Sequence, residues 1–361
     1  MDDVASEAEP TVRAERRSGE SRKAAGTAAP VAAGVATPLW SRALSVLTAL
    51  ALLLLALWVL RRWAAHVTLA DLGRELADIG WMQIALAVVF TGLSFLALIG
   101  YEYHAVRFAR HRLPMAVVGL YSFITQSISH AAGFAIFVGA TVRWKLYGWH
   151  GLGLVDVVKI QIYFTTTFGL GVLTLGGSAL LLEPAPLAHA VGSDALLWRL
   201  VGALLLLLVA TVVFVGAVMH RRLRIFGHPV ELPDPPVTML LIALGVGDLL
   251  GVAGAFHMLL PPELGLRFSE SLSIFVAALS LGLVSHVPGS LGVFEGAVVL
   301  IVAPAPELAA PLIGALVAFR AVYYMLPLVL GATAFAAVEF LRWRRAGHEP
   351  RRILESGAAE R

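Results

Sequence analysis

Cysteine is absent from the chain's 361 residues. That excludes disulfides, thiolate nucleophiles and thiolate-held zinc or iron–sulfur centres. Charge is scarce as well: Asp, Glu, Lys and Arg make up 14% of the sequence, against 58% hydrophobic residues. A water-soluble domain needs more polar surface than that, and the long apolar runs require lipid as their solvent. The eleven His form no HExxH or other tight metal-ligand spacing, and no Walker-type glycine loop occurs. No metal, cofactor or nucleic acid is expected, and no nucleophile–base constellation points to an enzyme.

What is present is a series of apolar segments. Spans long enough to cross a hydrocarbon layer of roughly 30 Å occur at about 41–60, 81–103, 155–182, 197–219, 237–260 and 312–341. Two more segments, about 115–140 and 271–303, are apolar but interrupted. The first holds Gln126, Ser127, Ser129, His130 and Gly133; the second holds Ser285, His286, Pro288, Gly289, Ser290 and Gly292. Backbone freed by such breaks is tolerated at membrane depth only where protein or a wet cavity satisfies it. Residues 1–38 mix both charge signs with few bulky apolar side chains and are expected to be a disordered cytoplasmic tail. The transmembrane domain then covers 39–342, and 343–361 form a second cytoplasmic tail.

The two breaks share Ser-His-x-x-Gly, at Ser129 to Gly133 and Ser285 to Gly289, an offset of 156 residues. The same offset carries Trp81 to Val237 and Val155 to Pro311, each close to the start of a span. The pattern predicts two repeats, about 81–182 and 237–341, joined by the span at 197–219. Charge placement sets their relative direction. Arg107, Arg110, Arg112, Arg143, Lys145, Arg221, Arg222, Arg224, Arg342, Arg344 and Arg345 all fall on one side if each broken segment is a re-entrant hairpin; 183–196 then lies outside with no Lys or Arg. Arg61, Arg62 and Arg74 go against this assignment. The expected fold is an all-α polytopic membrane protein, six spans plus two broken re-entrant hairpins, in an inverted repeat with both termini cytoplasmic.

Three motifs carry a family resemblance: Gly139 to Tyr147 (GATVRWKLY), Pro288 to Glu295 (PGSLGVFE) and Arg320 to Pro327 (RAVYYMLP). They resemble the transmembrane region of the bacterial lysylphosphatidylglycerol synthetase family, also called the multiple peptide resistance factor family, over about residues 40–341. The family pattern has a second glycine where this chain has Ser290. In full-length members this region is regarded as a lipid flippase that precedes a soluble aminoacyl-transferase domain. The resemblance therefore implies a flippase-like unit in a bacterial cytoplasmic membrane and does not imply lysyl transfer.

An ionisable group at mid-membrane costs roughly 2.5–3.5 kcal/mol on insertion scales, so the polar residues are weighed singly. Glu295, inside the second hairpin, is a headgroup or proton contact, or else a structural partner of Arg320. Arg320, Tyr323, Tyr324 and Pro327 share one helix face. Arg320 suits a phosphate because its planar fork donates two parallel hydrogen bonds; the alternative is a tyrosine-rich interface helix. Lys159 either serves the site or pairs with Asp156. Ser129, His130, Ser285 and His286 sit at equivalent places in the breaks and either serve the path or cap freed backbone. Gly133, Gly289 and Gly292, with Pro288, shape the turns. Arg143, Lys145 and Tyr147 are placed to catch an anionic headgroup or to act as ordinary positive-side anchors; position within the family motif favours function for Arg143. The expected activity is lipid translocation of an anionic or phosphate-bearing headgroup. The rivals are a secondary transporter of a small solute or ion and a non-transporting partner of a separate lipid-modifying enzyme. A cavity open sideways to lipid would favour the first.

Overall fold

The computed structural model describes residues 79–132, 135–218, 223–225, 228–230, 235–285 and 288–359, all within one structural unit. The expected tail 1–38, the span at 41–60, Gly133 and His286 lie outside the described residues. Eleven α-helices carry the described fold: α1 (Trp81–Phe108), α2 (Met115–Ala132), α3 (Ala135–Gly148), α4 (Leu154–Leu182), α5 (Ala185–Val191), α6 (Ala195–Val218), α7 (Pro235–Leu259), α8 (Phe268–Ser285), α9 (Val293–Val302), α10 (Pro306–Arg320) and α11 (Leu326–Ala359). A two-stranded antiparallel ribbon, Leu223–Ile225 with Val230 to His228, is the exception among the described residues. Six helical stretches are long and apolar enough to span a membrane: α1, α4, α6, α7, α8, and the stretch Pro306–Arg344 that runs through α10 into α11. The protein is an all-α polytopic membrane protein.

Five of those six match the spans read from the sequence; the sixth, α8, is the first limb of the second broken segment. An 18-residue limb rises about 27 Å, close to the thickness of the hydrocarbon layer. It passes the length test for a span, and it is followed at once by the turn at Pro288–Ser290. The 28-residue α1 rises about 42 Å, and the 18-residue limb α2 brings His130 beside Phe95, in the middle of α1 (ring centroids 6.2 Å apart). The last span is joined by a widened turn at Ala321–Met325. Pro327 has no N–H to offer the carbonyl of Tyr323, so the regular ladder cannot continue there. Beyond 342, where a separate tail was expected, α11 continues to Ala359.

Both broken segments turn back on themselves. The Tyr121 ring packs on Tyr147 at 5.4 Å, and its Oη lies 3.1 Å from Nε2 of His150, 29 residues later. A continuous helix would hold those residues about 43 Å apart. In the second segment, both α8 and α9 touch the short helix α5. The hairpins open at opposite ends of α4. Beside the first, His111 Nε2 meets Asp156 at 3.3 Å near the start of α4. At the base of the second, Ser269 and Ser273 donate to the side chain and the backbone carbonyl of Glu183, just past its end, at 3.0 and 2.9 Å. The helices that begin the two units, α1 and α7, pack antiparallel: Gly100 faces Leu244, and Gly254 faces Phe90. Units running in opposite directions are the arrangement the charge placement asked for.

Small residues let these helices touch. A Cβ on Gly171 would lie 2.7 Å from the backbone of Gly245, and one on Gly245 would lie 2.9 Å from the carbonyl of Thr167. Lipid tails are as apolar as leucine, so close van der Waals contact has to supply association here. Gly245→Val should therefore force α4 and α7 apart and cost about 1–3 kcal/mol. Gly247→Val, where an added Cβ meets nothing within 4 Å, should be near neutral. Thermal unfolding of both variants in detergent checks the contrast, and equal melting temperatures would contradict it.

Candidate functional site

The inward face of α1 is a stripe of Ala87, Thr91, Ser94, Leu98, Tyr101 and Ala105, all buried, with Glu102 beside it. The helical period thus turns the polar groups of an apolar span towards the bundle. On α7 the same happens to Asp248, which is 2% exposed. Facing these groups is a cavity of about 400 Å³ between the two hairpin tips. Ser129 and His130 line it from the first tip, and Gly289 and Ser290 from the second. Straight helices supply Gln161, Asp248, Tyr323 and Tyr324 to its wall.

Arg143, on the return limb of the first hairpin, reaches the cavity fully buried. Its Nε and Nη2 donate to the two oxygens of Glu102 at 2.8 and 2.6 Å, and its Nη1 donates to Gln161 at 2.6 Å. The guanidinium also stacks over Phe164 at 4.7 Å. Gly139 makes room for this: a Cβ there would lie 3.0 Å from Nη1 of Arg143. Two opposite charges at mid-depth are tolerable only with such bidentate geometry.

Arg320 does a different job at the second tip. Its Nε donates to Glu295 at 2.5 Å, Nη1 to the carbonyl of Gly289 at 2.7 Å and Nη2 to that of Ser290 at 3.3 Å. The other Glu295 oxygen accepts the Gly292 N–H at 2.8 Å. Gly289, Ser290 and Gly292 all have positive φ, of 61°, 52° and 77°. The turn therefore needs glycine-like backbone, and Ser290 takes a left-handed position that favours glycine. The expected approach of Glu295 to Arg320 is present, as a clamp on the tip with both residues set back from the cavity wall.

Other expected site residues are not brought to the cavity. Lys145 points away from Arg143 around α3 and pairs with Glu339 at 2.8 Å. Tyr147 is one turn further from the tip than Arg143 and is packed against Tyr121 in the hairpin base. Lys159 is exposed, 3.8 Å from Asp156, one residue off the buried stripe of Val157, Ile160 and Phe164. Ser285 closes α8 by donating to the carbonyl of Gly282 at 2.7 Å. Pro288 opens the turn, and Gly292 caps α9. Glu102, Gln161 and Asp248 were not singled out from the sequence. The signal was available for the two carboxylates, because each sits inside an apolar span where such a group is costly.

No family model matches the chain. Two relatives align over most of it. An uncharacterized protein of Synechocystis sp. is 24% identical over 291 residues, 77% of this chain and 90% of that protein. The inner membrane protein YbhN of Escherichia coli is 24% identical over 304 residues, 84% of this chain and 94% of YbhN.

The Glu102–Arg143 pair generates a stability prediction. Glu102→Leu or Arg143→Met alone should cost about 3–5 kcal/mol, because each leaves one buried charge without its partner. The double variant should recover much of that loss, since no charge is then stranded. Unfolding of the three variants in detergent measures this; a double variant weaker than both singles would assign the stability to something other than the pair.

Proposed function

We propose that the chain is a lipid translocase that passes a phosphate-bearing phospholipid headgroup between the leaflets of the bacterial cytoplasmic membrane. The observation that carries this reading is where the cavity opens. Phe137 and Leu283, beside the two tips, line the cavity and yet are 75% and 46% exposed. In this reading an exposed side chain at the level of the tips, far from both layers of loops, faces lipid. A headgroup could enter there while its tails stay in the bilayer. A small-solute transporter needs no such side door, so the lateral opening favours lipid over the solute reading.

The lining suits a headgroup. Nε2 of Gln126 and Nδ1 of His130 are buried without a hydrogen-bond partner, and both residues line the cavity beside Arg143. Buried polar atoms left unpaired cost about 1–3 kcal/mol each, and phosphate oxygens would satisfy them. The return limbs α3 and α9 begin at the tips and bring partial positive charge there, while the entering limbs α2 and α8 end at the same tips with the opposite sign. The resemblance to the transmembrane region of the lysylphosphatidylglycerol synthetase family points the same way, and the likeness to an inner membrane protein supports the membrane location alone. In this reading the chain works as a single membrane domain of two inverted repeats, is not an enzyme, and has membrane lipids as its partners.

Transport is tested in proteoliposomes carrying trace lipids with tagged headgroups of several classes, scored by an impermeant quencher. The wild type should expose inner-leaflet label much faster than protein-free vesicles. Glu295→Gln and Arg320→Leu should slow it at least about tenfold, the factor carried by 1.4 kcal/mol, at unchanged protein level. Exposure no faster than in protein-free vesicles, for every class, would overturn the reading.

Orientation is a separate prediction. The face bearing Arg107, Arg110, Arg112 and Arg344 should be cytoplasmic, as positive-inside placement requires. Single cysteines are clean probes in a chain without any. In intact cells an impermeant maleimide should label a cysteine replacing Asp194 and spare one replacing Arg112; the reverse pattern would invert the topology.

A further inference from the structure

Neither ion pair uses Asp248, although it is the carboxylate that faces the cavity. Its Oδ1 accepts from Ser94 Oγ at 2.6 Å, and its Oδ2 accepts from Tyr101 Oη at 2.9 Å. Tyr323 Oη lies 3.3 Å from Ser94 Oγ, and Tyr323 is itself part of the cavity wall. A serine hydroxyl has one proton, and Ser94 gives it to Asp248, so Tyr323 must be the donor in that contact. The hydrogen bonds thus run in one direction, from the cavity through Tyr323 and Ser94 to the carboxylate.

Among the described residues no cation neutralises this carboxylate. Among the described residues Asp248 takes part in no ion pair. The widened turn at Ala321–Met325 contributes Tyr323 and, further along the cavity wall, Tyr324; α1 contributes Ser94 and Tyr101. His130 of α2 stacks on Tyr323, with ring centroids 6.0 Å apart. Arg143 of α3 is committed to Glu102. The cavity walls formed by α4 and α8 hold no titratable side chain. A carboxylate kept at mid-depth among neutral hydroxyls is disfavoured in its charged form, and binding a proton removes the charge.

We propose that Asp248 is a proton-binding site and that the proton is a second transported species, so that headgroup movement is coupled to the proton gradient. The coupling half of this rests on the translocase reading. In the transfer step, Tyr323 Oη accepts a proton from the cavity and releases its own to Ser94 Oγ. Ser94 releases its proton to Oδ1 of Asp248. Each hydroxyl ends with the one proton it began with, and only the carboxylate gains one. The cavity wall then changes by one unit of charge beside the headgroup, which is how a proton and an anionic group can influence each other's binding.

The test uses the full chain in proteoliposomes with an imposed pH difference and a tagged phospholipid, read as the end-point distribution between leaflets whatever the rate. One pH unit should shift the wild-type distribution by up to about tenfold for one proton per lipid. Asp248→Asn should lose the shift, and Asp248→Glu should retain part of it. A wild type that equilibrates lipid but ignores the gradient would overturn the proposal, as would an Asp248→Asn variant that still follows it. A distribution that follows sodium in place of protons would overturn it too. If the wild type moves no lipid at all, the translocase reading fails, and Asp248 is judged by infrared difference spectroscopy alone. On acidification a protonated-carboxyl band should appear in the wild type and be missing in Asp248→Asn; a band equal in both, or absent from the wild type, would remove the proton site itself.

Discussion

Hydrocarbon supplies no hydrogen bonds, so a helix can be broken at mid-depth only where another part of the protein takes up the loosened backbone. Arg320 meets that demand at the second tip. It binds the carbonyls of Gly289 and Ser290 and, through Glu295, the N–H of Gly292. One side chain pair thereby holds a turn whose three left-handed residues would otherwise have only lipid or water to face. The widened turn after Arg320 is part of the same device: it presents Tyr323 and Tyr324 to the cavity, and Tyr324 lies under the Arg320 guanidinium at 4.6 Å.

Both units hold a hairpin with an ion pair, but with reversed parts. In the first, the cation Arg143 is on the hairpin and the anion Glu102 on a straight helix. In the second, the anion Glu295 is on the hairpin and the cation Arg320 on a straight helix. Each pair cross-links a hairpin to the frame, so neither charge is stranded. The Arg143 pair is fully buried and reaches the cavity wall, whereas the Arg320 pair sits behind the tip. Inverted architecture therefore persists without identical chemistry at the two tips, and the cavity is asymmetric even though the scaffold is paired.

That asymmetry leaves Asp248 as the one cavity-facing carboxylate without a counter-ion among the described residues, while Arg143 carries its own. The frame that sets this is glycine-mediated. Gly251 brings α7 against the backbone of Ser94, where a Cβ would lie only 2.8 Å away, and this close approach is what lets Ser94 reach Asp248 on the same helix.

Much of the fold was legible in the chain. Apolar length marked the spans, and Ser-His-x-x-Gly at a constant offset marked the breaks and the repeat. The distribution of Arg required the second unit to run opposite to the first, because hairpins that return leave the basic loops on one face. Glu295 with Arg320 could be paired from cost alone, since each is expensive in lipid without a partner. The three-dimensional arrangement decided the rest. Lys145 and Lys159 are basic residues beside the site in sequence, yet helical phase sends one to Glu339 and the other outward. Glu102, Gln161 and Asp248 stand in otherwise apolar stretches, and nothing local distinguishes a partner of Arg143 from a carboxylate with none. Periodicity and charge count are properties of a single segment and survive in the sequence. The partner of a buried charge is a property of two segments brought together, and only the packed bundle settles it.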